Sequence, residues 1–115
     1  MIYKRGDVVL TLFPNTQTNT FKKRPALIVQ ADGVKSQFNQ TILVPITSKL
    51  NRMGATRIQV VMDSHDGRSM GIRQDSIIAI DNLSTVSNMA IDKRLGFYPD
   101  MKMVDEILKN VLGLD

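Results

Sequence analysis

The chain has no cysteine and no tryptophan, and its only histidine is His65. Without thiols there is no disulfide, no thiolate nucleophile and no cysteine-ligated metal. A single imidazole leaves no histidine pair for acid–base work and weakens any histidine-rich metal site. In Ser64-His65-Asp66-Gly67-Arg68 that histidine reads as a solvated loop tip. Aromatic residues make up 5% of the chain, so few positions can stack on a base; Tyr3 and Phe21 are two, with core or loop-anchor roles equally open to them. No apolar run approaches the roughly 18 residues of a membrane span, and the first residues lack a signal-peptide pattern. A cytoplasmic protein without a membrane partner is expected. There is no internal repeat, low-complexity tract or linker, and 115 residues suit a single domain over 1–115.

What is present is ordinary in bulk and uneven in charge. Hydrophobic residues make up 43% and charged residues 23%, as in a globular domain. Lys and Arg number 15 against 11 Asp and Glu, a net charge of +4. That balance suits a polyanion such as RNA, DNA or an acidic protein.

Along the chain, Gly6-Asp7 turns into a strand over Val8–Phe13, ended by Pro14. Residues 15–20 are small and polar and read as a loop. Strands follow over Ala26–Gln30 and Thr41–Ile46, with a loop or short helical turn over 31–40 between them. Pro45 inside the third strand implies an edge or a bulge. Leu50–Ala55 is a loop, and Thr56–Met62 alternates like a half-buried strand. Asp63–Gly71 reads as a loop, Asp75–Asp81 and Leu83–Val86 as strands, and Asp92–Phe97 as a short strand or turn. The period then changes. Met101, Val104, Ile107, Leu108, Val111 and Leu112 fall at helical spacing, with Asp100 as N-cap and Gly113 as stop. Many short strands closed by one amphipathic helix predict a mainly β (β + α) fold, a small antiparallel barrel with a C-terminal helix packed on it.

Chemistry concentrates at Lys22-Lys23-Arg24-Pro25-Ala26-Leu27-Ile28-Val29-Gln30, where three cations run into an apolar strand. A second strand, Thr41 to Ile46, ends in the hydroxyls of Thr47 and Ser48. If the two pair, a guanidinium and two hydroxyls meet at one sheet end and can grip a phosphate.

In order, these motifs resemble the MazF/PemK family of toxin endoribonucleases. The likeness runs through Lys4-Arg5-Gly6-Asp7-Val8-Val9, Pro14, Arg24-Pro25-Ala26-Leu27-Ile28-Val29 and Val44-Pro45-Ile46-Thr47-Ser48. It continues through Asp75-Ser76-Ile77-Ile78, Asp81-Asn82-Leu83-Ser84-Thr85-Val86, Leu95-Gly96 and the C-terminal helix. It implies a barrel of the CcdB/MazF type, a homodimer, a cognate antitoxin partner and no cofactor or metal. The implied activity is sequence-specific cleavage of single-stranded RNA by 2′-OH attack, leaving a 2′,3′-cyclic phosphate and a 5′-hydroxyl.

The resemblance assigns Arg24 and Thr47 to catalysis, with Ser48 able to share the hydroxyl's role. Arg24 suits charge stabilisation, because its pKa is too high for a ready acid. Asp81 is a candidate general base; its other reading is a strand-end carboxylate paired with a lysine or arginine. Asp75 and Ser76 shape the site without reacting. Phe21, Lys22, Lys23, Lys49, Arg52 and Arg57 are candidate RNA contacts on a basic rim. Residues 15–23 depart from the family, whose loop often carries Gly-Ser-Glu-Gln; here the acid is missing and the loop is more basic. Ser84 stands where relatives often have a basic residue. Two other readings remain: a DNA gyrase-inhibiting toxin of the same fold, although its usual terminal Trp-Gly-Ile is absent, and a non-catalytic barrel that binds nucleic acid or an antitoxin.

Overall fold

A computed structural model describes residues 3–15, 20–34 and 38–115. The chain forms β1 (Asp7–Asn15), β2 (Thr20–Ile28), β3 (Gln40–Thr47), β4 (Arg57–Val60), α1 (His65–Met70), β5 (Ser76–Ala79), β6 (Ser84–Ser87), β7 (Ile91–Phe97) and α2 (Met101–Leu112). All strand pairs are antiparallel, in the order β4-β5-β3-β2-β1-β7, with β6 added on β3. The expected β + α architecture is present, and hydrogen bonds leave the sheet open between β4 and β7. Residues 16–19 of the expected 15–20 loop, and 35–37 of the 31–40 segment, lie outside the described residues. No helix among the described residues is long and apolar enough to cross a membrane.

The central strands are apolar at consecutive positions because both of their faces are covered. Val8, Leu27, Val44 and Ile46 join one core cluster, whereas Val9, Ala26, Ile28 and Leu43 join a second. Strand alternation sends neighbours to opposite faces, so two cores produce runs rather than strict alternation. α2 covers the first cluster. Val104 is completely buried there, and Met101, Ile107 and Leu108 pack around it. The Asp100 carboxylate accepts the Met103 N–H at 3.3 Å, and Gly113 ends the helix at φ 71°, as the sequence predicts.

Lys4-Arg5-Gly6-Asp7 is a structural latch. Gly6 turns at φ 93°, and buried Asp7 accepts from the Lys4 N–H at 2.8 Å and from Arg94 Nε at 3.0 Å. Arg5 donates to the Val29 carbonyl at 2.8 Å and to Asp105 at 2.6 Å, tying the end of β2 to α2.

Three elements differ from the sequence expectation. β2 begins at Thr20, so the cationic run Lys22 to Arg24 lies within a strand rather than ahead of one. Pro45 sits inside a central strand opposite Ala26, not at an edge. Asp63–Gly71 contains α1, too short for a helical period and weakened by Gly67. The Ser64 hydroxyl caps α1 by accepting the Gly67 N–H at 3.0 Å, and Gly71 ends it at φ 71°. His65 is its first residue and is exposed.

α1 lies directly against backbone. A Cβ on Gly67 would stand 2.2 Å from the Val61 carbonyl oxygen, and one on Gly96 in β7 would stand 2.2 Å from that of Ser69. Replacing Gly96 by alanine therefore forces α1 off β7. The expected loss is about 2 kcal/mol or more, read as a lower urea midpoint.

Tyr98 supplies a pH signature. It is 3% exposed, and burial, then the charges of Asp100 and Asp66, push its phenol up to about 12 from 10.0. Its contribution is fully present below pH 10. Above that the unfolded phenol ionises first, so stability falls as the pH rises towards 12. The expected loss attributable to Tyr98 is about 1 kcal/mol by pH 11, absent in Tyr98→Phe when urea midpoints at pH 8 and 11 are compared.

Candidate functional site

β3 has β2 on one edge, and β6 followed by β5 on the other. It pairs with β2 only over Leu43–Pro45, and on the opposite edge with β6 over Gln40–Leu43 and with β5 over Ile46–Thr47. Pro25 and Pro45 bring no N–H to this junction, which favours a break in the ladder. The register Ala26↔Pro45, carried two residues further, sets Arg24 against Thr47 just where the β2–β3 pairing has ceased. A cleft of about 400 Å³ opens there.

Arg24, Thr47 and Ser48 all line the cleft. Arg24 is half-buried, and no carboxylate pairs with it among the described residues. The Thr47 hydroxyl accepts the Lys49 N–H at 3.2 Å. With its oxygen engaged as acceptor, its proton is left to donate. Leu10, Pro25, Ile46, Ile72 and Leu95 supply an apolar lining.

Three polar residues that the sequence analysis did not select also line the cleft: Arg73, Gln74 and Lys93. Arg73 and Gln74 follow α1, whose docking on β7 sets the course of that segment. In Gly71-Ile72-Arg73-Gln74 the one cation, between a loop and a strand, carries no signal that would mark it. Lys93 lies between Asp92 and Arg94, and nothing in that run marks which of the three reaches the cleft. Ser76 is buried and lines the cleft as well, its hydroxyl donating to the Gln74 carbonyl at 2.8 Å. Asp75 accepts the Met62 N–H at 2.8 Å. Asp75 is not among the residues that line the cleft.

Among the described residues no carboxylate and no imidazole lines the cleft. Asp81, the candidate base, is not brought to it. That residue lies past the far end of β5, separated from Ser76 by the strand's length of roughly 10 Å. Arg57 Nε donates to it at 3.0 Å, which is the ion-pair alternative. Arg57 is thereby held away from the cleft and also donates to the Arg52 carbonyl at 3.2 Å. Phe21, Lys22 and Lys23 are exposed on the outer arm of β2 and do not line the cleft; Lys23 pairs with Asp92 at 3.1 Å. Lys49 directly follows the Thr47–Ser48 pair, and Arg52 is exposed on a one-turn 3-10 helix.

A family model described as PemK-like, MazF-like toxin of type II toxin–antitoxin system matches residues 4–112. The chain belongs to that family. Solved structures of MazF toxins share its fold at low sequence identity. Mycobacterium tuberculosis toxin MazF-mt6 is 22% identical, with a TM-score of 0.72, over 95% of this chain and 98% of that one. A mycobacterial endoribonuclease solved with its cognate antitoxin is 20% identical, with a TM-score of 0.71, over 99% and 98% of the two chains. MazF of Deinococcus radiodurans is 19% identical, with a TM-score of 0.71, over 99% of each chain. No curated protein is significantly similar in sequence.

For this PemK-like, MazF-like toxin the Arg57–Asp81 pair is a partly exposed strut. Asp81→Asn is expected to change unfolding free energy by less than about 1 kcal/mol in urea titrations.

Proposed function

We propose that this toxin is a sequence-specific endoribonuclease that cuts single-stranded RNA without a metal cofactor. In this reading it acts as a cytoplasmic homodimer and is neutralised by a cognate antitoxin. One observation carries the reading. A cleft on the chain gathers Arg24, Arg73 and Lys93 with the hydroxyls of Thr47 and Ser48, and no carboxylate lines it among the described residues. Such a lining favours a phosphodiester over a cationic or neutral ligand. Family membership and the endoribonuclease named among its structural neighbours supply the reaction class.

In this mechanism the ribose 2′-oxygen attacks the adjacent phosphorus. The P–O5′ bond breaks, the strand on one side keeps a 2′,3′-cyclic phosphate, and the departing 5′-oxygen takes up a proton. Arg24 grips two phosphoryl oxygens through its planar fork and stabilises the charge that builds on them. The Thr47 hydroxyl, held by the Lys49 N–H, donates to the same group, and Ser48 stands beside it as a second donor. Holding the nucleotide in line for attack supplies the remainder. Asp81 has no part in this scheme. Lys49 and Arg52, near Ser48 in sequence, and Phe21, Lys22 and Lys23 on the β2 arm meet the RNA outside the cleft.

Purified protein is expected to cut single-stranded RNA in EDTA and to leave cyclic phosphate ends. Arg24→Ala and Thr47→Ala should each lower the rate at least about tenfold, whereas Asp81→Asn should stay within about threefold. End mapping of the cut RNA reads both the chemistry and the sequence preference. Full activity in both cleft variants would overturn the site. Salt-sensitive RNA binding with no cutting after long incubation would leave a non-catalytic barrel, and gyrase cleavage complexes without RNA cutting would leave a gyrase poison.

A further inference from the structure

Lys93 owes its place in the cleft to an irregularity in β7. Thr11 pairs with Ile91, so an unbroken ladder would set Leu10 against Asp92. Instead Leu10 pairs with Lys93, because β7 spends one extra residue at this step. Such bulges re-aim side chains beside functional sites. On its other side Leu10 pairs with Pro25. Lys93, Leu10 and Pro25 thus form one row across β7, β1 and β2, and all three line the cleft. Directly opposed residues share a sheet face, so the bulge exchanges an aspartate for a lysine on the cleft side.

The surroundings keep that charge uncompensated. Asp92, the carboxylate next to it, is taken by Lys23 at 3.1 Å. Asp75, the acid nearest Arg73 in sequence, accepts the Met62 N–H at 2.8 Å. Neither Lys93 nor Arg73 has an ion-pair partner among the described residues. Lys93 lies two strands from β2, so its backbone is roughly 10 Å from that of Pro25, next to Arg24. Long side chains span such a distance, so the two cations can meet either one phosphate or two neighbouring ones, and the KM-against-kcat split below decides between them.

We propose that Lys93 is a positioning residue that holds a phosphate flanking the scissile one, and that the β7 bulge exists to present it. This rests on the RNA-cleaving reading of the cleft. Lys93 makes a point-charge contact with backbone phosphate, so it fixes where the strand lies without touching the reacting atoms.

The test measures binding of a 2′-O-methylated, mixed-sequence RNA oligonucleotide, which cannot be cut, across a salt series. Loss of one phosphate contact lowers the slope of log affinity against log salt by about 0.7 for a single strand. Lys93→Met and Lys93→Gln should each show that drop, Lys93→Arg should keep the original slope, and Lys102→Met, on exposed α2 outside the cleft, should keep it too. Thermal melting checks that each variant is folded, and the two neutral replacements guard against a fault of either one. With cleavable RNA, Lys93→Met should raise KM about tenfold and leave kcat within about threefold. Lys102→Met lowering the slope as much as Lys93→Met would make this an effect of net charge and overturn the proposal. A loss confined to kcat would place Lys93 at the reacting centre and overturn the flanking assignment. Unchanged slopes in both neutral variants of a protein that binds and cuts RNA would overturn Lys93 alone. No salt-dependent binding by the unaltered protein would overturn the cleft reading along with it.

Discussion

Everything at the site depends on where β2 stops pairing with β3. A strand that kept pairing with β2 beyond Pro45 would bury the backbone between Arg24 and Thr47 and close the cleft. The β2–β3 pairing ends at Pro45 instead, while β5, on the opposite edge of β3, holds Ile46 and Thr47 in a ladder of its own. Ala26, Leu27 and Ile28 on β2, and Leu43, Val44 and Ile46 on β3, are buried in the two core clusters. The guanidinium and the hydroxyl are therefore carried at the frayed end of a ladder whose other end is locked into the core. This gives open access for a polymer together with limited freedom for the groups that meet it.

The same economy governs charge. A cleft with several cations repels itself, and a nearby carboxylate would relieve that cost and also block the site. Each acid close in sequence is engaged elsewhere: Asp75 by the Met62 N–H, Asp92 by Lys23 and Asp81 by Arg57. The exposed pairs add little stability. Their effect is to keep negative charge out of the cleft and leave it electropositive.

How much of this was legible in the sequence varied with the range of the signal. The caps and apolar stripe of α2 lie within one element, so Asp100, Val104 and Gly113 could be read directly. The central strands could be found, but their consecutive apolar residues hid the fact that both faces are buried. Arg24, Thr47 and Ser48 were singled out because they flank strand-like runs and because the ordered motifs resemble a known family, and the structure brings all three to one cleft. α1 was missed since six residues with a glycine carry no period, and the reason for Gly67 lies in the Val61 carbonyl, outside the helix. Arg73 and Lys93 were missed for a different reason. Their positions depend on the docking of α1 and on the register of β7 against β1, and register is a pairwise property that no single segment encodes. Asp81 does not reach the cleft because it lies past the far end of β5, where Arg57, opposite Ala79 in the β4–β5 ladder, pairs with it.

Among the described residues no carboxylate or imidazole lines the cleft, and this also constrains the chemistry. Thr47 accepts a backbone N–H, which leaves its hydroxyl proton to donate, and the Arg24 guanidinium offers N–H donors and no acceptor. Both groups stabilise negative charge and neither removes a proton readily. For the proposed RNA cleavage, a site so composed would lower the barrier by stabilising the pentacoordinate phosphorus, and the proton of the attacking hydroxyl would pass to a phosphoryl oxygen or to water. Charge complementarity to the transition state would then do the work that paired acid and base groups perform elsewhere, and the number and placement of cations would set the rate. That dependence gives a physical reason for a strand to carry a bulge that exchanges Asp92 for Lys93.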